Sequence, residues 1–172
     1  EQQQSAQDGL ALLQNQRSEI RVELLYELGY AREMQLALTE ALQWYQQGAD
    51  LAAELEHKKL QVRGMINIAA IDSLQDRDPE ALQKLKEAYA SAQHLQDKEL
   101  LADVNAQLGL MYSSLAFEQE AQEFLEQALV LYQDLGWQKS RISVLYNLAR
   151  NYSYLKHYEQ ALQSFERMLQ LA

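Results

Sequence analysis

The sequence has no cysteine and a single proline in 172 residues, and Val, Ile and Thr together number only 11. Without cysteine there are no disulfide frameworks, thiol nucleophiles or thiolate metal sites, and the compartment, cytoplasmic or periplasmic, stays open. The shortage of β-branched residues argues against any large sheet. Basic residues are outnumbered, 15 against 25 acidic ones, and the formal charge of −10 opposes non-specific binding to nucleic acid or to anionic membrane surfaces. No apolar run approaches the ~20 residues needed to span a bilayer. The opening Glu1-Gln2-Gln3-Gln4 has neither the basic nor the apolar region of a signal peptide. A start without Met is expected of a piece of a longer chain.

What the chain has instead is 31 Leu, 24 Gln and 22 Ala, all helix formers, within a composition that is 48% hydrophobic. An all-α protein with a sizeable core is predicted. Shifting the chain against itself by 40 residues brings Leu28-Gly29, Ile68-Ala69, Leu108-Gly109 and Leu148-Ala149 into register, and with them Ala41, Ala81, Ala121 and Ala161. Further columns agree: Val22, Val62, Ala102 and Ile142; Tyr45, Leu85, Leu125 and Phe165; Gly48, Ala88, Ala128 and Met168; Leu55, Leu95 and Leu135.

Each unit reads as two helices. In the second, Val62, Met65, Ile68, Ala69 and Asp72 fall at helical spacing, and Ala81, Leu85, Ala88, Ala92 and Leu95 form the next series. Between them Asp78 is placed to cap the second helix, with Pro79 in its first turn, where a missing N–H is tolerated. The small columns let antiparallel helices approach closely, and the large ones fill the space beside the contact. One hairpin cannot cover its own apolar faces, so the units are expected to stack as a solenoid.

These columns resemble the tetratricopeptide repeat, in which a bulky residue, a Leu-Gly/Ala pair and an aromatic on the first helix are followed by Ala, a bulky residue and Ala on the second. The fourth unit fits best, with Leu145, Leu148-Ala149, Tyr152, Ala161, Phe165 and Met168; the third supplies Leu108-Gly109, Tyr112, Ala121, Leu125 and Ala128. In the aromatic position the second unit has Asp72 and the first Arg32. The units run 22–61, 62–101, 102–141 and 142–172. Residues 1–21 are expected to contain the second helix of a preceding partial repeat, with Leu10, Leu12 and Leu13 on its apolar side. HEAT-type repeats share the length of about 40 but do not ask for Leu-Gly/Ala followed thirteen positions later by Ala. Relative to the usual 34 or so, the extra residues are read as a lengthened end of the second helix plus its connection, at Leu55–Leu60 and Leu95–Leu100. Repeats lengthened in this way are similar to those of kinesin light chains and of many bacterial signalling proteins. The resemblance implies a right-handed α-α superhelix, with Leu162, Leu169 and Leu171 uncovered at the end of the fourth unit unless the parent chain continues or copies associate there.

Chemistry is sparse. His57, His94 and His157 share no metal-ligand spacing, no nucleotide-binding or nucleophile motif is present, and no catalytic residue, metal or cofactor is expected. The acidic run from Asp72 to Glu80 lacks calcium-loop spacing and reads as a solvated, capped turn. Glu118, Glu120, Glu123 and Glu126 read as the exposed outer side of a second helix. Summed by unit the charge is −4, −2, −4 and +1, so there is no basic stripe for nucleic acid.

Binding is the remaining function. In the family the first helices line a concave groove, and the resemblance implies that inward positions there hold a peptide or partner segment. Two residues before the small anchor stand Glu27, Asn67, Gln107 and Asn147, whose amides can both donate to and accept from an extended peptide backbone. Tyr26, Tyr30, Arg63, Leu110, Tyr146 and Arg150 would then select side chains. The clamp that recognises acidic chaperone C-termini is disfavoured, because Glu23, Tyr26, Glu27 and Tyr30 stand at its key places. The expected function is therefore a non-enzymatic protein-interaction module, the sensory or regulatory region of a larger bacterial signalling protein such as a nucleotide cyclase, kinase or transcription regulator. A homodimerising array using its uncovered ends and a small-molecule-sensing array are the alternatives.

Overall fold

The computed structural model describes residues 19–171, and the described residues form eight α-helices and no strand. They are α1 (Glu19–Glu33), α2 (Leu38–Glu54), α3 (Lys58–Leu74), α4 (Asp78–Leu95), α5 (Lys98–Ser114), α6 (Glu118–Asp134), α7 (Gln138–Tyr154) and α8 (Tyr158–Leu171). The expected all-α helical-repeat fold is thus present. The preceding half-repeat lies outside the described residues, apart from Glu19 to Arg21, which open α1.

The turns explain the period. At Leu36, Glu56, Asp76, Gln96, Ala116, Gly136 and Lys156 the backbone enters the left-handed region, at φ between 54° and 71°. Each of these residues donates its N–H three residues back, and its successor donates five back, as Ala116 does to Ser113 (3.3 Å) and Phe117 to Tyr112 (2.9 Å). This is the Schellman closure of a helix C-terminus. It recurs every 20 residues, so the 40-residue period is two helices of nearly equal length with equally short turns. The extra residues are therefore shared by both helices, not added at the end of the second as the sequence suggested: Lys58–Leu60 and Lys98–Leu100 already belong to the first turns of α3 and α5. Asp78 is likewise the first helical residue of α4, and the carbonyl of Arg77 accepts the first intrahelical bond from Ala81 (3.0 Å). His57 caps α3, its Nδ1 accepting from the N–H of Leu60 at 3.3 Å, and Asp97 caps α5 by accepting from Glu99 and Leu100 at 3.0 Å each.

Two compact units divide inside α4, one ending at Ala88 and the other beginning at Tyr89. In the first, Val22, Tyr26, Ala41, Tyr45, Leu60, Ile68 and Ile71 form the core; in the second it is Ala102, Leu125, Ala128, Leu145 and Leu148 with their neighbours. Close approach is visible at two glycines. A Cβ on Gly29 would lie 2.5 Å from the Tyr45 ring, and one on Gly109 would lie 2.6 Å from Leu125 Cγ.

The aromatic position of the repeat shows how one packing task is met by two chemistries. In the third unit Tyr112 stacks on Phe124, ring centroids 5.4 Å apart and 6° from parallel. One period earlier the same pair of positions holds Asp72 and Lys84, and these form an ion pair at 2.9 Å. Asp72 also accepts from Arg77 and is only 4% exposed, so its carboxylate is a buried tie between α3 and α4 and not part of a solvated turn. Arg32, in the corresponding place of the first unit, pairs with Glu40 at 3.1 Å.

Candidate peptide-binding surface

In the unit ending at Ala88, the first-helix residues are held by packing and charge. Tyr26 is a correction to the sequence reading. It is 4% exposed, it packs against Gly48 and Gly64, and its hydroxyl donates to the carbonyl of Leu60 at 2.8 Å, so it is core and offers no surface to a ligand. Burial drives its phenol well above the ordinary tyrosine range. Tyr30, one helical turn on, is half-exposed. Arg63 of α3 reaches back one period to α1 and donates to both carboxylate oxygens of Glu23 at 2.7 Å, which neutralises the expected cation. Asn67 is half-buried on the same helix.

The unit beginning at Tyr89 brings more of the expected residues together. Gln107 and Leu110 of α5 and Asn147 of α7 line one hollow of about 130 Å³, whose walls also include Ser143, Val144 and Tyr132. Tyr132 belongs to the second helix α6, and its hydroxyl donates to Asp103 of α5 at 2.8 Å. Burial first, then the Asp103 carboxylate, push that phenol well above its usual value, so it stays protonated. Beside the hollow Tyr146 and Arg150 form a stack on α7, the guanidinium carbon 5.8 Å from the ring centroid. Phe165 of α8 supports the other side of Tyr146, centroids 6.5 Å apart. The amide of Asn147 donates to the carbonyl of Ser143 in its own helix at 3.0 Å; its carbonyl oxygen and its second amide hydrogen make no further bond among the described residues.

The hollow thus presents amide donors and acceptors next to an apolar side chain, with a cation stacked on an aromatic alongside. That set can hold an extended peptide by its backbone and sort its side chains. Sequence reasoning missed Tyr132 and Ser143. Tyr132 lies on a second helix, where the groove argument did not look, and Ser143 is half a turn before Tyr146 with no chemical signal of its own. Among the described residues no group of three or more His, Asp and Glu is placed to hold a metal, and no helix is long and apolar enough to cross a membrane.

Residues 142–172 match the family model for the tetratricopeptide repeat. Among solved structures, a Rap protein complexed with Competence and Sporulation Factor is 18% identical with a TM-score of 0.87, over 99% of this chain and 47% of its own. A Rap conjugation gene regulator of the plasmid pLS20, in complex with the Phr* peptide, is 15% identical with a TM-score of 0.70, over 88% of this chain and 42% of its own. A putative kinesin light chain from Podosopora anserina with nearly identical TPR-like repeats is 19% identical with a TM-score of 0.66, over 98% of this chain and 84% of its own. The chain therefore spans about half the length of the Rap proteins it resembles. No characterised protein matches it at a significant level by sequence.

Proposed function

We propose, from the premise that the repeats of this chain are of the tetratricopeptide family, that it is a non-enzymatic interaction module which binds a peptide segment along its first helices. The repeats at 22–61, 62–101, 102–141 and 142–172 are its working units. The observation that carries the reading is the convergence of Gln107, Leu110 and Asn147 on one hollow beside the Tyr146–Arg150 stack. Gln107 and Asn147 hold backbone, Leu110 meets an apolar side chain, and Arg150 favours an acidic group or a terminal carboxylate. Tyr30 and Asn67 would contribute in the same manner on α1 and α3. The Rap regulator solved with the Phr* peptide supports a peptide as the ligand class. The place of the module in a larger bacterial signalling protein is part of the same proposal.

The test is selection of ligands from a randomised peptide library, followed by calorimetry of the recovered peptides against the parent and the Gln107→Ala/Asn147→Ala variant. Backbone holding predicts affinity at least about tenfold weaker, some 1.4 kcal/mol, with the helical content retained. Unchanged affinity in a folded variant refutes it. A second reading, association of copies, draws on the exposure of Leu162 and Leu169 on α8. Leu171, which the sequence placed on the same uncovered face, instead packs partly against the core. Sedimentation over a concentration series decides it, a strictly monomeric species counting against association.

A further inference from the structure

Asn105 of α5 breaks a column. One period away in each direction the same position holds Leu25, Met65 and Leu145, all large and apolar. The amide is only 2% exposed, and its Oδ1 has no hydrogen-bond partner among the described residues. A buried amide oxygen left without a donor is destabilising, so its presence calls for a donor from outside. Two residues before Gln107, Asn105 lies on nearly the opposite side of α5 from the peptide hollow.

Next to it, within the unit beginning at Tyr89, is a cavity of about 570 Å³ bounded by α6 and the end of α4. Its lining includes Tyr89, Leu101, Asn105, Glu123, Glu126 and Val130 and no cationic side chain. Tyr89 is braced edge-on by Phe124, centroids 5.9 Å apart. Glu126 is held by Gln122 (2.8 Å) and Tyr152 (2.6 Å), and both donate to Oε1, so Oε2 is uncommitted. Glu123 is exposed and has no hydrogen bond or ion pair among the described residues. The repeat that carries them, 102–141, has a net charge of −4.

We propose that this cavity docks an arginine side chain, flanked by an apolar residue, from a partner protein. Every charged or unsatisfied group in it is an acceptor: Asn105 Oδ1 at the floor, and the carboxylates of Glu123 and Glu126. A guanidinium supplies a planar fork of five donors, is weakly hydrated, and stacks on an aromatic such as Tyr89; an ammonium offers a compact, strongly hydrated charge that leaves more acceptors unmet. Val130, which is 60% exposed at the rim, and Leu101 give the neighbouring apolar residue its contact. The site lies on other residues than the peptide hollow, so its occupancy is independent of the function proposed above.

The experiment titrates the whole chain with the blocked tripeptide acetyl-Leu-Arg-Leu-amide and with its Lys and citrulline counterparts, followed by amide NMR. The expected result is saturable shifts at Tyr89, Asn105 and Glu123, with Lys at least about tenfold weaker and neutral citrulline weaker still. Asn105→Leu, which restores the apolar column, should remove the binding while raising the thermal midpoint. Equal binding of citrulline, or full binding to the Asn105→Leu variant, overturns the proposal. If Asn105→Leu lowers the midpoint, Glu123→Gln/Glu126→Gln decides, and unchanged affinity there overturns it. Arginine amide alone binding as tightly as the tripeptide would assign the cavity to free guanidino compounds and overturn the docking of a protein segment.

Discussion

Of the seven left-handed turn residues, Gly136 is the only glycine and Ala116, one half-period earlier, is its nearest chemical contrast. The two turns are closed by matching hydrogen bonds: Gly136 to Gln133 at 3.2 Å and Trp137 to Tyr132 at 3.0 Å, against 3.3 and 2.9 Å at Ala116 and Phe117. A non-glycine residue in this region costs about 1–2 kcal/mol. Glycine gives part of that back, about 0.5–1 kcal/mol, through its larger loss of chain entropy on folding. The net expectation is that Gly136→Ala destabilises by about 1 kcal/mol and that Ala116→Gly stabilises by about 0.5–1 kcal/mol. A Cβ at Gly136 would meet nothing within 4 Å, so packing contributes nothing and the substitution reads backbone strain alone. The assay is urea unfolding followed by circular dichroism, with m-values compared to exclude a change in the denatured state. The double variant should return close to the parent, since the two turns share no hydrogen-bond partner. If Gly136→Ala changes stability by less than about 0.3 kcal/mol, or Ala116→Gly lowers it, the assignment of strain to these turns is wrong.

The remaining predictions concern packing and protonation. Gly109→Ala should destabilise by about 1–3 kcal/mol although alanine is the better helix former, because the new methyl would lie 2.6 Å from Leu125 Cγ; thermal unfolding checks the sign. Asp72→Tyr and Lys84→Phe should each cost about 2 kcal/mol, the cations being a third exposed, while the pair rebuilds the ring stack of Tyr112 and Phe124 and recovers about 1 kcal/mol in a double-mutant cycle; strictly additive costs would refute the equivalence of the two pairs. Tyr45 and Tyr132 are raised above the tyrosine value near 10, Tyr45 by burial and then by its hydrogen bond to Glu33, Tyr132 by burial and then by Asp103. The unfolded chain therefore releases these protons first, so stability is intact below pH ~10 and falls as pH rises above it. Phenolate absorbance of these residues should appear together with loss of helix, and their ionisation in a folded chain would contradict the burial.

The repeat was legible because its signals are columns. Gly29, Ala41, Gly109 and Ala121 recur at a period that only stacked helix pairs satisfy, and each lies in a helix. What the columns concealed was how each position is met locally. The left-handed turns carry Leu36, Glu56, Asp76, Gln96, Ala116 and Lys156, none of which marks a turn by composition, so the half-period was invisible and the extra length was assigned to one helix. Tyr26 looked like a groove residue because it lies one turn from Tyr30, but Gly48 and Gly64 on two other helices leave room that draws it into the core. Asp72 was counted among solvated acids because its partner Lys84 is twelve residues away. Of the candidate site, Gln107, Leu110 and Asn147 were found by counting from the small anchor; Tyr132 could not be, since its helix was assigned to the outer layer. Asn105 carried a readable signal, an amide in a column of Leu25, Met65 and Leu145, which a comparison restricted to the first-helix groove passed over.

The equal spacing of the turns sets what recombination of the coding sequence can do to this protein. A gain or loss of 40 residues keeps every first helix in a first-helix place and preserves the columns. A change of 20 would also close every turn correctly, yet it would exchange the roles of the two helices in all later units, setting Tyr45-type bulk where Gly29-type contacts are required. The turns alone therefore tolerate twice as many insertion lengths as the side chains do, and it is the small columns that restrict growth of such an array to whole hairpins.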